Sequence, residues 1–169
     1  ADLPGVIGRD PEALPRFVAR SAAVKAEVVR RDFQEGGERA LLNLGHTYAH
    51  AIESREEFEL LHGEAVSIGL IAAATASASL GLGDPALVGR LEAILRRCGL
   101  PTALPRVPAA SEAGLATLRS AMQLDKKAAG GRLRLVLPVS SGGCRVVADP
   151  DEAAVLAGWR AVLPPSNGG

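Results

Sequence analysis

The chain has 169 residues, 47% of them hydrophobic, with 19 Lys+Arg balanced by 19 Asp+Glu. That length suits one domain with a substantial core, and the balanced charge argues against an electrostatic nucleic-acid binder or a polybasic membrane-surface protein. Cys98 and Cys144 are too few and too far apart for a disulfide framework or a CxxC site, so both are read as ordinary thiols.

The leading residues ADLPGVIG have no periodic partner and no cap, and read as the edge of a fragment, residues 1–9. They lack the basic start and apolar core of a signal peptide, so the default expectation is a cytoplasmic protein. Asp10 is the predicted cap of a first helix with Pro11 behind it. Phe17, Val18, Ala22, Val24, Val28 and Val29 recur at helical spacing up to about Asp32, and Lys25 lies near the middle. Gly36 and Gly37 break this helix, and Glu38 begins the next, expected to run unbroken to about Ser54.

The polar segment Arg55–Glu59 leads to a third helix, roughly Gly63 to Leu80. The apolar run from Ala65 to Leu82 carries Ser67, Gly69, Thr75, Ser77 and Ser79, which suits a buried core helix better than a membrane span. Asp84-Pro85 repeats the cap-plus-proline signal for a fourth helix ending near Gly99, and Pro101, Pro105 and Pro108 forbid a regular element after it. A fifth helix is expected from Ser111 to about Met122. Arg132–Val136 and Cys144–Val147 flank a Ser-Ser-Gly-Gly turn as a β-hairpin, and Asp149-Pro150 opens a last helix to about Val162. The expected fold is mainly α, with one small hairpin, over residues 10–162. Residues 163–169 are expected to be a disordered tail. The strand-helix alternation of a nucleotide-binding sheet is missing.

All three histidines fall between Arg39 and His62. His46 and His50 stand four apart and so share a helix face, and His62 follows twelve residues after His50. Two imidazoles on one face and a third from an adjacent segment can form an all-nitrogen metal site, with Glu53 and Glu64 as local carboxylate candidates. On one continuous helix Arg39, Asn43, His46 and His50 would fall at i, i+4, i+7 and i+11, a polar stripe where apolar residues are usual. With Lys25 approaching from the preceding helix, that stripe would suit carboxylate or phosphate groups of an anionic small molecule. Lys126 and Lys127 read as a solvated turn that matters only if the chain folds back over the site.

KAEVVRRDFQEGGERALLNLGHTYAHAIE, then LLHGEAVSIGL, then DKK, a glycine-containing turn and LRLVLP, resemble the C-terminal domain of the 3-dehydroquinate synthase family of sugar-phosphate cyclases. The resemblance runs from about Pro11 to Trp159. It implies the fold of that domain, a role in the second step of the shikimate pathway, and a homodimer for the full-length protein. It further implies a zinc or cobalt ion held by His46 and His62 together with a glutamate from an N-terminal domain. His50 and Asn43 then belong to the phosphate end of the substrate, Lys25 and Arg39 to its carboxylate, and one of Lys126 and Lys127 to the phosphate. In the family, tightly bound NAD⁺ oxidises a hydroxyl, phosphate leaves by β-elimination, the hydride returns, and an aldol step closes the ring.

The chain departs from the family at Ala49, where glycine is usual, and at Leu70, where methionine is common. No G-x-G-x-x-G or other dinucleotide-binding pattern occurs, so the NAD-binding half and its glutamate ligand are expected to lie outside this sequence. The chain alone is therefore not expected to turn over substrate. Three other readings share some of these residues: a cyclase making an aminocyclitol or valiolone precursor, a metal-dependent polyol dehydrogenase, and a standalone metal-binding helical domain without catalysis. The N-x-G-H-T run followed by HGEAV favours the cyclases over the dehydrogenases.

Overall fold

In a computed structural model of the chain, residues 3–32, 38–108, 110–128 and 131–164 are described. The expected architecture is present: helices with one two-stranded antiparallel hairpin. The helices are α1 (Leu3–Ile7), α2 (Ala13–Arg31), α3 (His46–Glu53), α4 (His62–Ser79), α5 (Ala86–Arg97), α6 (Leu115–Ala128) and α7 (Glu152–Ala161). The strands are β1 (Arg134–Pro138) and β2 (Cys144–Ala148), paired with Leu135 opposite Val147 and Leu137 opposite Arg145.

The α4 helix forms the centre of the core. It packs against α3, α5, α7 and β1, and its Ala65, Ile68, Ile71, Ala72, Ala73 and Ala76 are all buried. Alanines let neighbouring backbones come close without leaving voids, and a helix surrounded on every side needs no polar face. Among the described residues no helix is long and apolar enough to cross a membrane. Around α4 an aromatic cluster ties three helices together. The Tyr48 ring meets Trp159 edge-on with centroids 5.0 Å apart, Tyr48 donates its hydroxyl to the Val155 carbonyl at 3.1 Å, and Trp159 Nε1 lies 3.1 Å from Met122 Sδ.

Several start signals act as the sequence suggests. Asp10 Oδ1 accepts from the amides of Glu12 and Ala13 at 2.9 and 2.8 Å, Asp84 Oδ1 from Ala86 at 2.9 Å, and Ser111 Oγ from Gly114 at 3.3 Å. Others differ. Asp151, not Asp149, caps the last helix, its carboxylate accepting from Ala153 at 2.8 Å. Asp149 takes a positive φ of 45° and closes the hairpin instead, donating its amide to the Leu133 carbonyl at 2.7 Å. The strands lie at 134–138 and 144–148, so β1 begins two residues after Arg132. Residues 3–7, read from the sequence as a leading segment without periodic partner or cap, form a short helix against α2. The α6 helix extends through Ala128, so Lys126 and Lys127 sit on its last turn rather than in a turn between elements. The tail beyond 164 lies outside the described residues.

The largest correction concerns the segment from Glu38 to Ser54, which is not one helix. Glu38–Asn43 is a 3-10 helix, and α3 begins afresh at His46. Gly45 causes the break. Its φ is +76°, a conformation that L side chains rarely adopt, and a Cβ there would stand 2.8 Å from the Gly69 carbonyl carbon on α4. The chain turns at Gly45 because two backbones touch, and that contact sets the height of α3 on α4.

Candidate functional site

The two helices of the site run in opposite directions. Gly45, at the start of α3, touches Gly69 well along α4, whereas Glu53, at the end of α3, reaches His62 at the start of α4. This antiparallel packing brings the histidines together. The His46 ring lies 5.5 Å from that of His62 and 5.8 Å from that of His50, centroid to centroid. His46 is half-buried, and His50 and His62 are exposed.

The second nitrogens of the rings separate their roles. His46 Nδ1 lies 3.2 Å from the Leu44 carbonyl, and His62 Nδ1 lies 2.9 Å from Glu53 Oε1. A carbonyl and an ionised carboxylate can only accept, so Nδ1 carries the proton in both rings, and in the neutral imidazole Nε2 then keeps its lone pair. A ring held through one nitrogen by a carbonyl or carboxylate, with the other left to bind, is the arrangement found around protein-bound zinc. Two imidazoles bound to one zinc through nitrogens about 2.1 Å away, at roughly tetrahedral angles, stand about 5 Å apart at their centroids. The His46–His62 spacing of 5.5 Å is close to that value. The donor set therefore fits a divalent ion with His46 and His62 as two of its ligands.

A site of three local ligands is a different matter. Among the described residues no group of three histidine, cysteine, aspartate or glutamate side chains could hold an ion. The simplest expectation from spacing, a metal shared by His46, His50 and His62, is not met. The two carboxylate candidates have other partners as well. Glu64 Oε2 accepts from the Leu61 amide at 2.8 Å and so caps α4, and Glu53 is the acceptor that orients His62. That role for Glu53 was legible only as a carboxylate near the histidines; its partner depends on α4 being antiparallel.

The break at Gly45 also changes the polar stripe. Arg39 and Asn43 lie on the 3-10 helix and His46 and His50 on α3, so the four do not share one α-helical face. Asn43 is exposed, and Arg39 is half-buried with its amide donating to Asp32 Oδ2 at 2.9 Å. Asp32 thus ties the end of α2 to the start of the 3-10 helix, a link that spacing did not suggest. Lys25 is exposed on α2, which packs against the same 3-10 helix. The side chains of Lys126 and Lys127 lie outside the described residues. Thr47, between the histidines, donates its hydroxyl to the Arg134 carbonyl at 2.9 Å and fastens α3 to β1. Behind the site Tyr48 is fully buried, and burial pushes its hydroxyl above the ordinary value. Both cysteines are free and half-buried, and burial raises Cys144 as well, which suits an inert thiol.

Residues 2–128 match the family model of the 3-dehydroquinate synthase C-terminal domain. The chain is 46% identical over 164 residues to a 3-dehydroquinate synthase of Xanthomonas campestris pv. campestris, covering 92% of the chain and 42% of that protein. It is 46% identical over 158 residues to one from Xylella fastidiosa, covering 89% of the chain and 41% of the relative. The chain thus spans less than half the length of these relatives and corresponds to their C-terminal part. Two solved structures share the fold. A 2-epi-5-epi-valiolone synthase from Streptomyces hygroscopicus subsp. jinggangensis, with NAD⁺ and Zn²⁺ bound, superposes with a TM-score of 0.71 at 23% identity over 95% of this chain and 45% of its own. A 2-deoxy-scyllo-inosose synthase complexed with carbaglucose-6-phosphate, NAD⁺ and Co²⁺ gives 0.68 at 21% identity, covering 87% of this chain and 41% of its own.

Proposed function

The chain belongs to the 3-dehydroquinate synthase family, as its C-terminal domain, and we propose that it is the metal- and substrate-binding half of a synthase acting in the cytoplasm as a homodimer. On this reading residues 10–162 are the catalytic helical domain, residues 1–9 lead in from an NAD-binding half, and 163–169 are a tail. The reaction is conversion of 3-deoxy-D-arabino-heptulosonate 7-phosphate to 3-dehydroquinate with release of phosphate, a carbon-oxygen lyase activity. The observation that carries the proposal is the pair His46 and His62, each held at Nδ1, with centroids 5.5 Å apart.

His46 and His62 are the ligands this chain offers a zinc or cobalt ion, and a third comes from the other half. A divalent ion there supplies Lewis-acid polarisation of the reacting oxygen, and NAD⁺ held by the other half supplies reversible hydride transfer. Arg39 presents a planar fork to the substrate carboxylate, and Lys25 adds a point charge beside it. Asn43 and His50 hydrogen-bond the phosphate end. His50 is the group suited to hold or donate a proton at the departing oxygen, because its ring neighbours His46 without being needed as a ligand. One of Lys126 and Lys127 completes the phosphate contacts.

The test is metal binding by the isolated chain and by a full-length chimera in which this chain replaces the matching part of the Xanthomonas campestris synthase. Zinc should bind weakly to the chain and tightly to the chimera. His46→Ala and His62→Ala should abolish tight binding, and His50→Ala should spare it while lowering turnover. Tight stoichiometric binding lost in His50→Ala but kept in His62→Ala would reverse the assignment. A related cyclase, making a valiolone or aminocyclitol precursor, is the weaker reading, because identity to those two enzymes is 23% and 21% against 46% to the synthases. A chimera inactive on the heptulosonate phosphate but active on a sugar 6- or 7-phosphate lacking its carboxylate would favour it.

A further inference from the structure

The α2 helix has nineteen residues, of which only Ala13 is buried. It packs against α1 and the 3-10 helix at Glu38–Asn43, and Phe17, Val18 and Val24 are 44%, 56% and 60% exposed. At 100° per residue, Phe17, Val18, Val24 and Val28 fall within one stripe, Arg16, Glu27 and Arg30 lie on the far side, and Arg20 and Arg31 flank the stripe beside Val24. The charged side is already satisfied in water, with Glu27 held by Arg30 and Arg31. Helices gain most of their stability from packing an apolar face, and among the described residues none covers this one.

Position supplies the partner. More than half of each relative lies outside the match, and the match is to their C-terminal part, so the remainder precedes it and enters this domain at α1 and α2. We propose that the apolar stripe of α2 is the docking face for that preceding half of the synthase, with Lys25 set inside the interface. Lys25 falls inside the stripe, beside Val18 on the side toward Val28, and is the one charge there. Burying an unpaired ammonium is costly, so the docked halves must leave Lys25 facing a cleft where an anionic ligand can reach it. Docking and substrate binding then share one helix. This rests on reading the chain as the C-terminal half of a synthase, and it adds which surface joins the halves.

The experiment is hydrogen exchange on the isolated 169-residue chain and on the full-length chimera, each as wild type, Val18→Glu, Val24→Glu and, on the opposite side, Ala23→Glu. In the isolated chain α2 amides should exchange on the order of 100-fold faster than those of α4, and the melting temperature should stay within about 2 °C in all variants. In the chimera α2 should slow by a similar factor, and Val18→Glu or Val24→Glu should undo this whereas Ala23→Glu should not. The proposal fails if α2 stays fast in a folded chimera, or if Ala23→Glu acts as strongly as Val24→Glu. It also fails if the isolated chain already protects α2, whether as a monomer or as a dimer, seen by light scattering, that Val18→Glu dissociates. That last result needs no chimera and assigns the face to a second copy. A chimera with protected α2 but no synthase activity would overturn the proposed function alone, and an active chimera with fast α2 would overturn the docking face alone.

Discussion

Glu53 Oε1 lies 2.9 Å from His62 Nδ1, joining the last residue of α3 to the first of α4. The contact fixes which ring nitrogen of His62 holds the proton, in a ring whose centroid lies 5.5 Å from that of His46. Removing such an orienting carboxylate typically costs about 10–100-fold in metal affinity. Glu53→Ala should lower zinc affinity of the full-length chimera by that factor and leave its melting temperature nearly unchanged, as read by chelator competition and calorimetry. Unchanged affinity would make the contact an ordinary surface pair.

Arg39 tests the anionic end of the site. Arg39→Ala should weaken binding of a carboxylated substrate analogue to the chimera by about 1.5–3 kcal/mol, the range for a hydrogen bond to a charged group. Bound zinc should remain stoichiometric, measured on the same sample by atomic absorption. Equal analogue affinity would leave Arg39 with a structural role beside Asp32, whose carboxylate accepts from its amide.

Gly45 tests the break that positions the histidines. Gly45→Ala adds a Cβ 2.8 Å from a backbone carbon of Gly69 at a φ of +76°. Left-handed strain and overpacking together should cost about 2–4 kcal/mol in urea unfolding. Gly89 in α5 is the control, since a Cβ there meets nothing within 4 Å. Gly89→Ala should stabilise the chain by about 0.5–1 kcal/mol.

Tyr48 is the one tyrosine of the chain, and burial pushes its hydroxyl above the ordinary value of 10.0. Below that pH both folded and unfolded forms hold the proton. Above it the unfolded chain ionises first, so the unfolded state binds fewer protons and stability falls as pH rises, by about 1.4 kcal/mol per unit for this group. Tyr48→Phe should remove this alkaline component and cost about 1 kcal/mol at neutral pH for the lost bond to Val155. Urea unfolding at pH 8 to 11 reads both effects, and parallel alkaline slopes in the two proteins would contradict the argument.

Local chemistry made much of the fold legible. Caps at Asp10, Asp84 and Ser111 act within three residues of their own position, so spacing alone finds them. The alanine-rich core helix α4 and the hairpin were likewise readable from composition and alternation. The helix boundary at Gly45 was not, because its cause is the backbone of Gly69, twenty-four residues away. The exchange of Asp149 for Asp151 as the last cap has the same origin, since Asp149 is engaged by Leu133 across the hairpin.

The candidate site divides along the same line. By itself the sequence determined its ingredients: three histidines, an arginine, an asparagine and a lysine in a run specific enough to mark a family. Only the tertiary structure decided how they are placed relative to one another. The antiparallel seat of α3 on α4 sets His46 beside His62 and brings Glu53 to the Nδ1 of His62, whereas the Leu44 acceptor of His46 and the Glu64 cap are local contacts. Spacing along a chain specifies which side chains share a helix face, and a ligand set drawn from two helices depends on how their backbones pack.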